Sequence, residues 1–152
     1  MKKKFKLEII KKSDKALFLS VIFSGSSMSL FQEFAEKYYP IDPGNCGILL
    51  DSIDKMADFG IQSTFFKYQR SNYVYRFLDS GTLRLYCLKY DDLAIIIGGG
   101  GVKPHTVKNL REIPELDLAV KILEAINKKL LLLKIKITEL QDYLDIDFEI
   151  DL

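Results

Sequence analysis

The pattern of apolar and polar positions at the start of the chain predicts a β-hairpin. Residues 5–9 alternate between apolar side chains and charged ones, which is typical of a half-buried strand. Turn-forming residues follow at 13–15, and residues 16–23 are mostly apolar and rich in β-forming side chains. We therefore expect two antiparallel strands before the first helix.

The next stretch predicts two helices separated by a proline-rich break. Ser29 followed by Gln32 has the spacing of a capping box, which favours a helix start at this point. The break covers residues 40–44. From 46 to 59 the apolar residues recur with helical spacing, and Gly60 is a typical helix stop.

Short strands replace the helical pattern after residue 72. Residues 73–78, 82–88 and 93–97 read as strands joined by tight turns at 79–81 and 90–92, so neighbouring strands should be antiparallel. The third is apolar throughout, which indicates a strand covered on both faces. We expect this three-stranded antiparallel meander to end at the glycine run 98–101.

The last third of the chain predicts a helix and a charged end. Pro114 opens a helix that extends to about residue 133. Residues 144–151 alternate strictly and predict either an edge strand or an extended peptide that awaits a partner. The fold class is thus α+β: an N-terminal β-hairpin, two helices, a three-stranded antiparallel meander and a C-terminal helix. We assign residues 1–138 to one domain and 139–152 to an acidic tail.

The net charge is close to zero, but the charges are unevenly distributed. All 22 Lys and Arg residues lie in 1–138 together with 15 acids, whereas the last fourteen residues carry six acids and no Lys or Arg. Residues 1–138 therefore have a net charge of +7, and residues 139–152 have a net charge of −6. This asymmetry suits an anionic partner whose binding site the acidic tail competes for, or a solvated surface with a solubilising tail.

Composition also limits the kinds of site that the chain can carry. Two cysteines and one histidine cannot form a structural zinc site, and we expect Cys46 and Cys87 to be buried, reduced thiols rather than a disulfide. Charged residues interrupt the N-terminal region, so it does not resemble a signal peptide, and the apolar run at 130–133 is too short to span a membrane. We expect a cytoplasmic protein with no metal site, no cofactor and no membrane partner.

The four glycines at 98–101 have two interpretations. Glycine lets a backbone approach an anion closely, but the spacing fits neither a P-loop nor a dinucleotide-binding fingerprint. The run could be a flexible exit from the sheet, or a surface that approaches a phosphate backbone.

Candidate chemistry gathers on the central strand and at the exit from the sheet. Alternation places Arg84 and Tyr86 on one strand face, which we expect to be open because the other face carries apolar residues. Lys103 and His105 follow the glycine run. Cations next to a phenol or an imidazole suit the binding and cleavage of a phosphodiester. The alternative is that these are ordinary exposed residues of neighbouring strands. The predicted catalytic residues are Arg84, Tyr86, Lys103 and His105, and the predicted substrate-binding residues are Arg76, Lys89 and Lys108.

The chain resembles the RelE/ParE superfamily of bacterial toxins from type II toxin–antitoxin modules. The resemblance rests on a pair of helices followed by a meander that reads YVYRFLDSGTLRLYCLKYDDLAIIIGGGGVK. Arg84 matches the arginine of the family's central strand, and Lys103 and His105 match the basic segment after its last strand. The resemblance covers mainly residues 30–110. The N-terminal hairpin, the long helix after the sheet and the acidic tail depart from the family pattern.

This resemblance implies a function. RelE-like proteins cleave mRNA at the ribosome without a metal ion, and their partner is a small antitoxin protein. By this resemblance Arg84 would stabilise phosphoryl charge, Lys103 would hold substrate, and Tyr86 or His105 would transfer protons. The alternatives are a non-catalytic protein-interaction scaffold and a ParE-like gyrase inhibitor.

Overall fold

The computed structural model describes residues 1–78 and 81–152, and for residues 68–70 it describes the backbone alone. The described part contains seven β-strands and three α-helices. The strands are β1 (Lys2–Lys12), β2 (Leu17–Phe23), β3 (Phe66–Ser71), β4 (Val74–Phe77), β5 (Leu83–Tyr90), β6 (Ala94–Val102) and β7 (Phe148–Asp151), and the helices are α1 (Leu30–Tyr38), α2 (Pro43–Phe59) and α3 (Pro114–Leu132). Short 3-10 turns cover Ser63–Phe65, Leu110–Glu112 and Ile137–Tyr143.

All seven strands form one mixed sheet in the order β3-β4-β5-β6-β2-β1-β7. Only β2 and β6 pair in parallel, over Leu17–Ser20 of β2; the other neighbours are antiparallel. The α+β class and the N-terminal hairpin are confirmed. The strands of the predicted meander correspond to β4, β5 and β6, which pair antiparallel in sequence order, but the strand count differs from the prediction because the sheet continues into β3 on one side and into β2 on the other.

Two strand boundaries also differ from the prediction. Tyr73 was expected in a strand but lies in the β3–β4 turn with a positive φ of 66°. The glycine run does not end the sheet, since β6 continues through it to Val102 and stays paired with β5. Most of the turn predicted at 79–81 lies outside the described residues.

The helix starts follow from their caps. The Ser29 hydroxyl accepts from the backbone of Gln32 at 3.2 Å, and the Gln32 side chain accepts from the Ser29 backbone at 3.1 Å, so the predicted capping box is confirmed. Helix α2 begins at Pro43, three residues earlier than predicted. The reason is that Asp42 caps it by accepting from the Asn45 backbone, and proline is tolerated in a first turn.

The sheet is buried on both faces. Helices α1 and α2 cover one face and form a core that we call the α1/α2-side core, with Phe18, Leu49 and Leu85 among its members. Helix α3 covers the other face and forms the α3-side core, with Leu19, Tyr86 and Leu123 among its members. The predicted burial of the third meander strand on both faces is confirmed, because β6 contributes side chains to both cores.

The acidic end of the chain forms the edge strand β7 rather than a free peptide. It pairs antiparallel with the lysine-rich start of β1, and the Phe148 ring stacks on Phe5 at 5.3 Å. Exposed ion pairs join the two strands: the Met1 amino group with Asp151, and Lys2 with Glu149. The negative end of the chain is therefore matched to the positive beginning.

Among the residues that the structure describes, no helix is both long and apolar enough to cross a membrane.

Candidate functional site

Arg84 lies near the start of β5, at the end of the sheet where β6 exits. Its register partner on β6 is Gly101, so the two residues share the face that α3 covers. The guanidinium Nη1 donates to the carbonyls of Gly81 and Leu83 at 2.5 and 2.9 Å. These two bonds fix the orientation of a half-buried cation at the strand end.

Tyr86 and Arg76 do not lie on an open face, which corrects the prediction for that side of the sheet. Tyr86 is fully buried in the α3-side core, and Arg76, its register partner on β4, is 7% exposed. The sequence suggested an exposed face because polar side chains alternate there with apolar ones. Helix α3 covers this face, so neither side chain is accessible from solvent.

Lys103, His105 and Lys108 occupy the loop that leaves β6. The Lys103 backbone donates to the carbonyl of Thr82 at 2.8 Å, two residue pairs beyond the pairing of Arg84 with Gly101. The Lys103 ammonium donates to the carbonyl of Lys108 at 3.0 Å, which closes the loop. His105 is exposed at the turn. Arg84 and Lys103 thus lie at the same end of the sheet, and His105 and Lys108 lie in the loop that follows Lys103. We call these four residues the basic rim.

Lys89 does not belong to this group. It lies near the opposite end of β5 and on the opposite face from Arg84, because side chains alternate along a strand and the two positions differ by an odd number, five. Its ammonium lies over the rings of Phe66 and Tyr75, at 5.9 and 5.4 Å from their centroids. The structure therefore separates Lys89 from the residues with which the sequence grouped it.

A cleft that sequence reasoning missed lies next to the basic rim. The parallel pairing of β2 with β6 ends at Ser20 and Ile97, where the Ser20 hydroxyl donates to the Ile97 carbonyl and accepts from the Phe31 backbone. Beyond this point α1 and α3 line a space of about 270 Å³ over Gly99 and Gly100. Its walls are mostly apolar, and its polar lining residues are Glu33, Lys37, Tyr38 and Glu115.

Glu115 links the two helices that form this cleft. Its carboxylate accepts from the Tyr38 hydroxyl at 2.9 Å and from the Lys37 ammonium at 3.2 Å. Burial, followed by the bond to Glu115, raises the pKa of Tyr38, whereas the bond to Glu115 is the main cause that raises the pKa of Lys37. Tyr38 therefore stays neutral, and Lys37 stays charged, to a higher pH than is usual for these side chains.

The glycine run forms the floor of the cleft, and its close contacts are with the protein itself. A Cβ on Gly100 would lie 1.7 Å from the carbonyl oxygen of Arg84, and one on Gly101 would lie 2.9 Å from the Glu115 carboxyl carbon. A Cβ on Gly99 would meet nothing within 4 Å. The run therefore packs β6 closely against β5 and α3. The sequence signal for the cleft was this run, but the helices that complete the cleft are distant in the chain.

Cys46 and Cys87 are free thiols buried in the α1/α2-side core, as predicted. Burial raises the pKa of both, so neither has the character of a reactive thiolate. In the described ranges, no group of three or more His, Cys, Asp or Glu side chains is arranged to hold a metal ion.

Comparison with models of known protein families, with curated proteins and with solved structures found no match to this chain.

Proposed function

We propose that this protein is a RelE-like, toxin-type endoribonuclease that acts on mRNA at the ribosome and is neutralised by a small antitoxin protein. The observation that carries the proposal is the basic rim: Arg84 and Lys103 lie where β5 starts and β6 exits, and His105 and Lys108 lie in the loop that follows Lys103. The order of elements supports it as well, since a helix pair separates β2 from the antiparallel strands β4 to β6.

The rim supplies one base and three cations for metal-independent cleavage of RNA. In that reaction His105 accepts the proton of a ribose 2′-hydroxyl, whose oxygen bonds to the adjacent phosphorus as the bond from phosphorus to the 5′-oxygen breaks. The leaving 5′-oxygen takes up a proton from water, and a 2′,3′-cyclic phosphate remains. Arg84 stabilises the negative charge that grows on the phosphoryl oxygens. Lys103 and Lys108 hold neighbouring phosphates. Tyr86, which is buried, has no role in proton transfer in this proposal.

The proposal is tested with Arg84→Ala and a matched control, Lys89→Ala. Both variants remove one cation from β5, but only Arg84 belongs to the basic rim. Induction of the wild type should arrest growth, and purified protein should cut ribosome-bound mRNA as detected by primer extension. Arg84→Ala should slow cleavage by about a hundredfold or more, as expected when a charge-stabilising donor is lost. Lys89→Ala should cleave like the wild type.

His105 is tested by substitution. If it accepts the proton, His105→Ala should lower the maximal cleavage rate by about a hundredfold or more, whereas Lys108→Ala should weaken substrate binding and leave the maximal rate close to that of the wild type. A wild type that cuts neither ribosome-bound nor free RNA would disprove the proposal.

One observation favours a second candidate, a non-catalytic interaction scaffold. Burial of Tyr86 removes one of the two proton carriers that the sequence suggested and leaves His105. The scaffold reading predicts no growth arrest and no cleavage, but co-purification with a small protein encoded by a neighbouring gene. A ParE-like protein would instead inhibit DNA supercoiling by gyrase, and Arg84→Ala would not be expected to affect mRNA.

A further inference from the structure

The C-terminal end of α3 exposes three consecutive leucines. Leu131, Leu132 and Leu133 are 60%, 68% and 50% exposed, whereas Leu130 before them is buried and anchors the helix. Consecutive residues point about 100° apart around a helix, so these side chains surround the helix end instead of forming a stripe along it. We call this group the leucine tip.

The leucine tip is held rigidly. The Ile135 backbone donates to the Leu130 carbonyl and the Lys134 backbone donates to the Leu131 carbonyl, both at 3.1 Å, which is the Schellman pattern of a helix end. Lys134 takes the left-handed position with φ of 55°, where glycine is normally preferred. A lysine in this position costs conformational energy, which points to a use for its charge.

Cations surround the leucine tip. Lys128, Lys129, Lys134 and Lys136 flank it, and in the described part of the chain none of their ammonium groups is paired with a carboxylate. Lys2 lines the groove of about 290 Å³ that Leu132, Lys128 and Lys129 also line. The acids of that groove, Glu149 and Asp151, are engaged by Lys2 and the amino terminus.

We propose that the leucine tip and its lysines dock this protein onto the surface of an anionic phospholipid bilayer. Exposed leucines ringed by lysines match the two requirements of interfacial binding, which are apolar insertion at the acyl boundary and attraction to acidic headgroups. Leucines exposed on several sides of a helix end suit a planar bilayer, whereas a helix-binding groove on a protein would select a stripe of leucines. This inference goes beyond the proposed ribonuclease activity and departs from the expectation of no membrane partner, because the exposure of the leucines is visible only in the fold.

Two other occupants are less suited to the same surface. A second copy of the chain would bring its own unpaired lysines against these ones, so their repulsion opposes a symmetric contact. RNA would attract the lysines but would gain little from the leucines, since phosphodiesters do not bury apolar side chains.

The test is co-sedimentation of the full chain with vesicles. The wild type should bind phosphatidylcholine vesicles that contain phosphatidylglycerol, should bind pure phosphatidylcholine vesicles far less, and should lose affinity as salt is added. Leu131→Gln combined with Leu132→Gln should weaken binding by about tenfold or more, because two exposed apolar side chains are lost. Ile41→Gln, which changes a 72% exposed residue elsewhere, should have no effect.

Lys134→Gly separates a binding role from a structural one. Glycine relieves the left-handed position, so the melting temperature should rise, while the loss of charge should weaken vesicle binding. Equal binding by the wild type and the double leucine variant would overturn the proposal, as would no binding to either vesicle type. Dimerisation that depends on the leucines, without vesicle binding, would assign the tip to a second copy and would also overturn it. Each outcome is independent of mRNA cleavage.

Discussion

The face of the sheet under α1 and α2 and the face under α3 are both closed, but they are built from different side chains. The α1/α2-side core contains aliphatic and aromatic residues and the two thiols. The α3-side core contains Tyr86 and Tyr90, and buried Asn127 lies at its edge, where it accepts a 2.8 Å hydrogen bond from the Tyr90 hydroxyl. A strand face with polar residues is therefore not necessarily a surface, because a helix from later in the chain can bring the hydrogen-bond partner.

The strongest test of this comparison is a leucine deletion on each side of the sheet. Leu49 on α2 and Leu123 on α3 are both fully buried, and Leu123 packs over the position where Gly98 lacks a side chain. Leu49→Ala and Leu123→Ala should each lower the free energy of unfolding by about 2–5 kcal/mol, since each leaves a cavity in a packed core. Urea denaturation measures both. A loss below about 1 kcal/mol for Leu123→Ala alone would mean that α3 does not close its face.

A second test concerns the polar pair that distinguishes the α3 side. Asn127→Leu leaves the buried Tyr90 hydroxyl without its acceptor and should cost about 1–3 kcal/mol of stability. Adding Tyr90→Phe removes the unpaired hydroxyl and should recover part of the lost stability. A double-mutant cycle from urea denaturation gives the coupling energy. Additive effects of the two substitutions would show that the hydrogen bond does not contribute.

Alkaline pH should act on the same pair. Burial raises the pKa of Tyr90 in the folded state above the value of about 10 that it has in an unfolded chain. Its stabilising contribution is therefore complete below about pH 10 and is lost as the pH rises through the folded-state pKa. The urea midpoint should fall more steeply above about pH 10 in the wild type than in Tyr90→Phe. Parallel pH profiles for the two proteins would contradict this account.

The smallest effect is expected at the sheet edge, outside both cores. The pair between Lys2 and Glu149 spans 3.5 Å and is solvent exposed, so Glu149→Gln should cost no more than about 1 kcal/mol and less at high salt. Phe148→Ala on the same strand should cost more, because that ring is buried and stacks on Phe5. Thermal denaturation of both variants at low and high salt provides the comparison.

Local signals in the sequence were sufficient for the elements that depend on neighbouring residues. The capping box at Ser29, the stop at Gly60 and the N-terminal hairpin follow from contacts within a few residues, and each is confirmed. Alternation at the end of the chain also identified an edge strand as one of two options. Helix α2 begins earlier than predicted because Asp42, and not a residue nearer to Cys46, caps it.

The features that the sequence did not reveal depend on residues far apart in the chain. The parallel pairing of β2 with β6 joins segments about eighty residues apart, and no local pattern specifies it. The same applies to the cleft, where Tyr38 on α1 meets Glu115 on α3. Tyr86 was assigned to an open face because the opposite face of its strand carries the apolar residues, and no local pattern shows that α3 covers the face of the sheet on which Tyr86 lies. Arg84 and Lys103, by contrast, lie close because β5 and β6 are sequence neighbours in a hairpin.

The opening at Gly99 has a practical consequence for measuring what enters the cleft. Its neighbours in the run face the Leu123 side chain or the Arg84 backbone, whereas a side chain at 99 would extend into free space beside Glu115. Both natural thiols are buried, so Gly99→Cys would introduce the one accessible attachment point for a thiol-reactive fluorophore. The label would respond optically to any molecule that fills the cleft, without the need to know its identity beforehand.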